Sequence, residues 1–311
     1  MNEWKKVEVL ITGADGYIGS HLTQRLVDLG ADVSITLRDK TRLKNLEPAL
    51  MDSVQAYDLD ILDRDMTKKT LAKIRPRKVF HLAALTSRER DISIAQTMFE
   101  TNVLGMLNVL TALEKDSYDC FMQFGTAGEY GNGAVPLSES SPLRPNSPYA
   151  CSKACASLYC QTLRETFGLP IVTVRLFSVY GVKNALPFVA ELVRSAQTRE
   201  PFRMTSGEQT RDFIFIDDAI DAIIKLSFNR EAIGQIYNVC SGTETRLRDF
   251  ALNFNQFLKH PIEIHFSSLA VPANAILRNL GDRGKLKTLT GWEPAITLEQ
   301  GMKRIIKRYR L

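Results

Sequence analysis

Runs of apolar residues alternate with longer amphipathic stretches through the first 177 residues of the chain. Continuous apolar runs predict buried strands, and apolar residues that recur every three to four positions predict helices. The predicted strands are VEVLIT, VSITL, VFHLAA, CFMQFG and IVTVRLF, and the predicted helices lie at 17–29, near 67–74, at 97–114 and at 149–167. This alternation predicts an α/β fold in which helices cover both faces of a doubly wound parallel sheet.

A glycine-rich loop, GADGYIG, follows the first predicted strand and opens the first predicted helix. In such a loop the first glycine allows a tight turn, the second lets a pyrophosphate approach the backbone, and the third lets the helix pack closely on the sheet. The helix N-terminus then faces the anion. The loop predicts a dinucleotide-binding Rossmann domain rather than a merely tight turn, with cofactor contacts at Gly13, Gly16, Tyr17, Ile18 and Gly19.

The end of the second predicted strand bears on the choice of nicotinamide cofactor. An enzyme that selects NAD usually holds the adenosine ribose hydroxyls there with an acidic side chain, and Leu37 stands at that place. Arg38 beside it is suited to bind the 2′-phosphate of NADPH through charge-assisted hydrogen bonds. We therefore predict NADPH, and NAD stays the alternative because Asp39 follows directly.

After about residue 177 the alternation loosens, and glycine and proline become more frequent. We predict that residues 1–176 form the dinucleotide-binding domain and that residues 177–311 form mainly a smaller substrate-binding region. The segments DFIFIDD and IYNVCSG still have the pattern of sheet strands. We therefore expect residues 212–240 to return to the first domain.

Tyr149 and Lys153 lie four residues apart on the helix predicted at 149–167, directly after Pro148. Residues at this spacing project from the same face of a helix. A phenol normally titrates near ~10, and a nearby ammonium favours the phenolate, so the pair is suited to proton exchange. Thr126, after the CFMQFG strand, is predicted to orient the proton. The alternative is an exposed tyrosine and lysine without a chemical role, which the glycine-rich loop and Thr126 disfavour.

With these motifs the chain resembles the extended short-chain dehydrogenase/reductase family, in the branch of nucleotide-sugar epimerases, dehydratases and reductases. The resemblance covers nearly the whole chain and is carried by TGADGYIGSH, the pair DL at 58–59, FHLAA, Asn102, GTAGEYG, SPYACSK, RLFSVYG, QTRDFIFIDD, YNVCSG and GDRGKLKTLTGWEP. It implies that Thr126, Tyr149 and Lys153 form a catalytic triad. It implies further cofactor contacts at Asp58, Leu59, Leu82, Ala83, Ala84 and Asn102. For the nucleotide diphosphate of a substrate it implies contacts at Arg211 and Asn184.

The chain departs from the family pattern at three places. Dehydratases carry an acid two residues after the catalytic threonine, where this chain has Gly128, with Glu129 one position later. Elimination chemistry is therefore not expected. Ser178, counted among the substrate contacts with Thr126, replaces the asparagine of RxFNxYG. Pro272 falls on the family's late arginine, for which Arg278 is predicted to substitute.

The run of motifs is most similar to that of reductases of GDP-4-keto-6-deoxymannose and related sugars. It predicts NADPH-dependent reduction of the C4 keto group of a nucleotide-activated 4-keto-6-deoxysugar, a step of deoxysugar biosynthesis. One alternative is an NAD-dependent nucleotide-sugar 4-epimerase with the same triad. Another is a catalytically silent NADP-binding regulator, against which the intact triad argues. Family relatives commonly pair the helices at 97–114 and 149–167, which implies a homodimer.

Composition narrows the possible partners. The net charge of +5 comes with one local basic concentration, near the C-terminus, which we interpret as the solvated face of a last helix. No nucleic-acid partner is expected, because aromatic and basic residues do not interleave there. No apolar run approaches the ~18 to 20 residues of a membrane span, and the start lacks signal-peptide features, so we expect no membrane partner and a cytoplasmic location. Five cysteines and four histidines show no metal-ligand spacing, so no metal is expected.

Overall fold

The computed structural model describes residues 3–39, 45–86, 92–183 and 186–311. The chain forms two compact units. Unit 1 comprises Met1–Glu129, Pro145–Arg175 and Ile223–Tyr237, and unit 2 comprises Tyr130–Arg144, Leu176–Ala222 and Asn238–Leu311.

The described residues form twelve strands and eleven α-helices. The strands are β1 (Glu8–Thr12), β2 (Asp32–Leu37), β3 (Gln55–Asp58), β4 (Lys78–His81), β5 (Cys120–Thr126), β6 (Ile171–Leu176), β7 (Ser178–Tyr180), β8 (Phe202–Arg203), β9 (Thr210–Phe215), β10 (Ile236–Val239), β11 (Glu244–Arg246) and β12 (Ile264–His265). The helices are α1 (Tyr17–Asp28), α2 (Pro48–Met51), α3 (Arg64–Ile74), α4 (Ser93–Phe99), α5 (Gly105–Ala112), α6 (Pro148–Phe167), α7 (Pro187–Thr198), α8 (Ile216–Phe228), α9 (Leu247–Gln256), α10 (Gly284–Thr290) and α11 (Leu298–Tyr309).

Seven strands form the large sheet, in the order β10-β6-β5-β4-β1-β2-β3. The pairings of β1 with β2 and β4, of β2 with β3, and of β4 with β5 are parallel. The predicted doubly wound α/β sheet is confirmed. The chain first builds outward from β1 to β3 and then returns to place β4 on the other side of β1. This reversal creates a crevice at the carboxyl ends of β1 and β4, which is where open α/β sheets bind their ligands.

The helix predicted at 97–114 has three parts. α4 passes into a π-helical turn at Glu100–Leu104, and α5 continues from it. Single π-helical turns inside α-helices frequently mark functional sites, and this one carries Asn102. The hydrophobic core of unit 1 packs these helices and α6 on the sheet, with Leu10, Val79, Val103, Met106 and Phe121 fully or almost fully buried.

Unit 2 contains a three-stranded sheet in the order β11-β9-β7 and a two-stranded sheet of β12 and β8. Of the two segments that the sequence predicted to return to the large sheet, IYNV forms its edge strand β10, whereas DFIF lies in β9 of the three-stranded sheet. Tyr180 packs edge-on against Phe213, Phe215 and Phe250 in the core of this unit. Within the described residues, no helix combines the length and apolarity that a membrane-spanning helix requires.

Candidate active site

The loop between β1 and α1 makes a tight turn in unit 1. Gly13 adopts a φ of +69°, and a Cβ added to it would lie 2.6 Å from the amide nitrogen of Ala83. The left-handed backbone and this close approach both restrict the position to glycine. Gly16 is the N-cap of α1, and within the described part of the chain no side chain caps this helix end. Backbone amides at such an end attract anions, so the loop fits the pyrophosphate of a dinucleotide.

The side chains of Thr12 and His81 join the ends of β1 and β4, a contact that the sequence does not predict. The Thr12 hydroxyl lies 3.0 Å from Nδ1 of His81 and accepts the amide of Ala83 at 3.2 Å. Burial, and then the charge of Lys153, lower the pKa of His81 to about 3, so the ring is neutral. These bonds hold the Leu82–Ala84 segment against the end of β1. In the sequence, the signal for this contact is a polar residue at the end of each of two apolar strands.

The predicted determinants of cofactor choice lie together where β2 and β3 end. Leu37 is 1% exposed, and its carbonyl accepts the amide of Leu59 at 2.9 Å. Asp58 pairs with Leu37 in the strand register. Arg38 and Asp58 are both exposed. This edge of the sheet therefore offers the guanidinium of Arg38 together with the exposed carboxylates of Asp39, directly after β2, and of Asp58, at the end of β3.

Local sequence explains why Tyr149 and Lys153 share a helix. The Ser147 hydroxyl accepts the amide of Ala150 at 3.2 Å as the N-cap of α6, and Pro148 occupies the first turn. Both features favour a helix start at this residue. Tyr149 is partly buried and Lys153 is 3% exposed. The pair thus lies one turn apart in a protected environment.

Asn102 links three elements around this pair. Its Oδ1 accepts the amide of Leu85 at 2.7 Å, and its Nδ2 donates to the Leu85 carbonyl at 3.1 Å and to the Ser152 hydroxyl at 2.8 Å. Ser152 in turn donates to the carbonyl of Tyr149 at 2.8 Å. The predicted cofactor contact thus has a positioning role in the structure, since it ties the segment after β4 to the first turns of α6.

The structure reverses the expected sign of one pKa shift. The sequence predicted that Lys153 lowers the pKa of the Tyr149 phenol. Instead, burial and then the carboxylate of Glu129 raise the pKa of Tyr149 to about 12. Burial lowers the pKa of Lys153 to about 8, because the charged ammonium loses solvent. At neutral pH both groups hold their protons, so Tyr149 is ready to donate one.

Thr126 ends β5, and a short 3₁₀ turn, Ala127–Tyr130, follows it. The Thr126 hydroxyl accepts the amide of Gly128 at 3.2 Å, which leaves its own proton to donate. The amide of Thr126 donates to Oε1 of Glu129 at 2.9 Å. The sequence alone suggests only a displaced dehydratase acid at Glu129, whereas the structure places this carboxylate in a buried ion pair with Arg175.

The predicted diphosphate contacts lie in unit 2. Ser178 opens β7 and Arg211 lies on β9, which pairs with β7. Nη1 of Arg211 donates to two backbone carbonyls, those of Thr210 at 2.6 Å and Ile276 at 2.9 Å. These bonds fix the guanidinium at the start of β9. Asn184 lies outside the described residues.

Arg278 is exposed and forms a bidentate ion pair with Glu244 of β11. Its Nε and Nη2 lie 2.8 and 2.7 Å from the two carboxylate oxygens. The hydrogen bond from Arg278 is the main reason why the pKa of Glu244 falls to about 2. A diphosphate that binds Arg278 therefore has to compete with this carboxylate.

Comparisons with known proteins span both units. A model of the NAD dependent epimerase/dehydratase family matches residues 9–240. The chain is 28% identical over 316 residues to UDP-glucose 4-epimerase of Mycolicibacterium smegmatis, covering 98% of this chain and 99% of that protein. It is 27% identical over 333 residues to dTDP-glucose 4,6-dehydratase of Haemophilus influenzae, covering 97% and 98%. The structure of UDP-glucuronic acid 4-epimerase from Bacillus cereus, in complex with UDP-glucuronic acid and NAD, is similar with a TM-score of 0.88 and 26% identity, covering 97% of this chain and 98% of that one.

Proposed function

The chain belongs to the NAD dependent epimerase/dehydratase family, and from that premise we propose that it is an NADPH-dependent reductase of the C4 keto group of a nucleotide-activated 4-keto-6-deoxysugar. Membership of the family makes it an NAD(P)-dependent enzyme of nucleotide-sugar chemistry. The choice of reaction and cofactor rests on this chain's own residues.

The end of β2 carries the proposal. Leu37 is buried and apolar, so it offers no carboxylate to the adenosine ribose hydroxyls. Arg38 follows with an exposed guanidinium, the group that forms strong paired hydrogen bonds with phosphates. A 2′-phosphate distinguishes NADPH from NADH. A reductase that draws on the cell's reducing pool benefits from that distinction, whereas an epimerase that regenerates its cofactor in each cycle does not.

The surroundings of Thr126 argue against dehydratase chemistry. Gly128 occupies the place of the dehydratase acid. Glu129 is fully buried, and its two carboxylate oxygens accept hydrogen bonds from Thr126, Ser157 and Arg175. A carboxylate held in this way is not free to exchange protons with a substrate.

The triad residues fit the direction of a reduction. NADPH, when bound, supplies the hydride that the C4 carbonyl carbon receives. Tyr149 donates its proton to the carbonyl oxygen, since its phenol is protonated at neutral pH. The Thr126 hydroxyl donates a hydrogen bond to the same oxygen, while the Lys153 ammonium holds ribose hydroxyls of the cofactor.

A nucleotide-sugar 4-epimerase is the second candidate, because two of the relatives above are 4-epimerases and one of them is described in complex with NAD. Its first step needs Tyr149 as a base that accepts a proton from a sugar hydroxyl. The choice between the two candidates therefore rests on the end of β2, where the exposed guanidinium of Arg38 favours NADPH. A catalytically silent regulator remains a third reading, against which the complete triad argues.

The proposal includes a substrate site and an assembly. We propose that Ser178, Arg211 and Arg278 of unit 2 contact the nucleotide diphosphate, with a guanidinium as the natural partner of that anion. We also propose a cytoplasmic location and a homodimer. The homodimer is proposed because the helices predicted to pair expose large apolar side chains. These are Phe99 of α4, Leu104 of the π-helical turn, and Leu158 and Tyr159 of α6.

The decisive experiment combines cofactor binding with turnover. Arg38→Ala should weaken NADPH binding at least about tenfold, since each charge-assisted hydrogen bond to the phosphate contributes about 1.5 to 3 kcal/mol. NADH binding should hardly change. Arg25→Ala is the matched control, because Arg25 is an exposed arginine of unit 1 in the last turn of α1.

Turnover is followed as the absorbance of the reduced nicotinamide with a panel of nucleotide 4-keto-6-deoxysugars. Stoichiometric consumption of NADPH with one of them is the expected result. Interconversion of nucleotide hexoses by protein that carries tightly bound NAD, without net oxidation, would replace the reductase with the epimerase.

A further inference from the structure

The carboxylate of Glu129 lies in the interior of unit 1 among groups from three elements. It is 0% exposed. Oε1 accepts the amide of Thr126 at 2.9 Å and the hydroxyl of Ser157, on α6, at 3.2 Å. Oε2 accepts a hydrogen bond from Nε of Arg175, on β6, at 2.8 Å. Each carboxylate oxygen therefore has a hydrogen-bond partner, which a buried charge requires.

The sequence around this carboxylate makes room for it. A Cβ added to Gly125 would collide with Oε1 of Glu129 and lie 3.3 Å from Cγ of Arg175. Any larger residue at position 125 would therefore displace the carboxylate or the guanidinium. Gly125, which directly precedes Thr126, thus packs closely against the side chains of Glu129 and Arg175.

We propose that Glu129 is a positioning residue of the active site, whose carboxylate holds the backbone of Thr126 in place and supplies a fixed negative charge to Tyr149 and Lys153. This inference rests on the proposed function of Thr126, Tyr149 and Lys153 as the reacting triad. It assigns Glu129 a role other than that of the family's dehydratase acid, because the carboxylate acts through its neighbours and does not touch the substrate.

The charged and titratable groups around the triad define how Glu129 acts on Lys153. Burial lowers the pKa of Lys153, and the Glu129 carboxylate and then the Cys160 thiol oppose that effect. His81 of β4 is neutral, and Tyr149 holds its proton. Arg175 carries the counter-charge of Glu129. The Glu129 carboxylate thus stabilises the charged ammonium of Lys153. Without the Glu129 charge the pKa of Lys153 falls further, so the ammonium loses its proton at a lower pH.

The first test titrates Lys153 without any substrate. Carbon-13-labelled lysine is observed by NMR between pH 6 and pH 10, about the range of a lysine with a lowered pKa, and the Lys153 signal is identified by its loss in Lys153→Met. Glu129→Gln should lower the Lys153 midpoint by at least about 0.5 pH unit, since it removes an opposite charge. Glu129→Asp keeps the charge and should keep the midpoint close to that of the parent.

The matched control is Asp218→Asn. Asp218 is another buried carboxylate, which accepts the amides of Ala295 and Ile296 in unit 2. It should leave the Lys153 midpoint unchanged. Equal midpoints in the parent and in Glu129→Gln would overturn the proposed charge effect.

The second test separates position from charge. In the reductase assay, Glu129→Asp should lower kcat several-fold without raising KM for NADPH, because the shorter side chain no longer reaches the Thr126 amide while the cofactor loop is intact. An unchanged kcat in Glu129→Asp would overturn the positioning role. If Glu129→Gln fails to fold, Glu129→Asp alone tests that role. A parent protein that reduces no keto sugar disproves the proposed function, whereas the titration still tests Glu129.

Discussion

Replacing Arg175 with methionine removes one partner of a buried ion pair in unit 1. Arg175 is 2% exposed, and its Nε lies 2.8 Å from the Glu129 carboxylate, whose side chain is 0% exposed. Methionine keeps much of the length of the arginine stem but carries no charge. The variant therefore leaves a carboxylate in the protein interior without its counter-ion, which is a strongly destabilising change.

The structure allows an estimate of the loss. Breaking a buried ion pair by removing one partner costs about 3 to 5 kcal/mol of unfolding free energy. Glu129 keeps the hydrogen bonds from Thr126 and Ser157, so we expect the lower end, about 3 kcal/mol. The matched control is the exposed ion pair of Arg77 with Asp119, whose side chains are 56% and 48% exposed. Arg77→Met should cost less than about 1 kcal/mol.

Urea unfolding followed by the fluorescence of Trp4 measures the effect in unit 1. Trp4 is buried there and packs edge-on against Phe228, and a Trp292→Phe background removes the signal of unit 2. Arg175→Met combined with Glu129→Gln should regain at least about 1 kcal/mol over Arg175→Met, because no unpaired buried charge remains. A double variant that is no more stable than the single one, or an Arg175→Met variant that loses no more stability than Arg77→Met, would refute the predicted cost of the unpaired Glu129 charge.

Three further predictions concern activity and assembly. Tyr149→Phe should lower turnover by roughly 10²- to 10⁴-fold, the effect of losing an acid/base group, with NADPH affinity retained in titration calorimetry; parental turnover would remove Tyr149 from the role of proton donor. Burial lowers the pKa of Lys153 to about 8, so its ammonium is present below that pH. The kcat should therefore fall as the pH rises through about 8. A kcat that stays constant up to pH 10, about two units higher, contradicts the role of the Lys153 ammonium in turnover. Light scattering should find a dimer that Leu158→Glu converts to monomer, whereas a monomeric parent would refute the homodimer.

Local patterns were enough to predict the architecture and the family. A buried strand, a tight glycine turn and a helix follow one another within about twenty residues, so the backbone geometry at Gly13 and Gly16 follows from neighbours in the chain. The alternation of apolar runs with amphipathic stretches predicted the doubly wound sheet, which is confirmed. The i, i+4 spacing of Tyr149 and Lys153 needs only a helix, and Ser147 and Pro148 supply the signals that start it.

Tertiary structure decided how the site is held and charged. Thr12 meets His81 across 69 positions, Asn102 meets Ser152 across 50, and Glu129 meets Arg175 across 46. No local pattern specifies such pairs, because they arise when strands and helices distant in sequence pack together. The sequence also predicted the wrong direction for the pKa of Tyr149. A spacing of four residues reveals a nearby ammonium, but the loss of solvent and the carboxylate of Glu129, which raise the pKa of Tyr149, exist only in the folded chain.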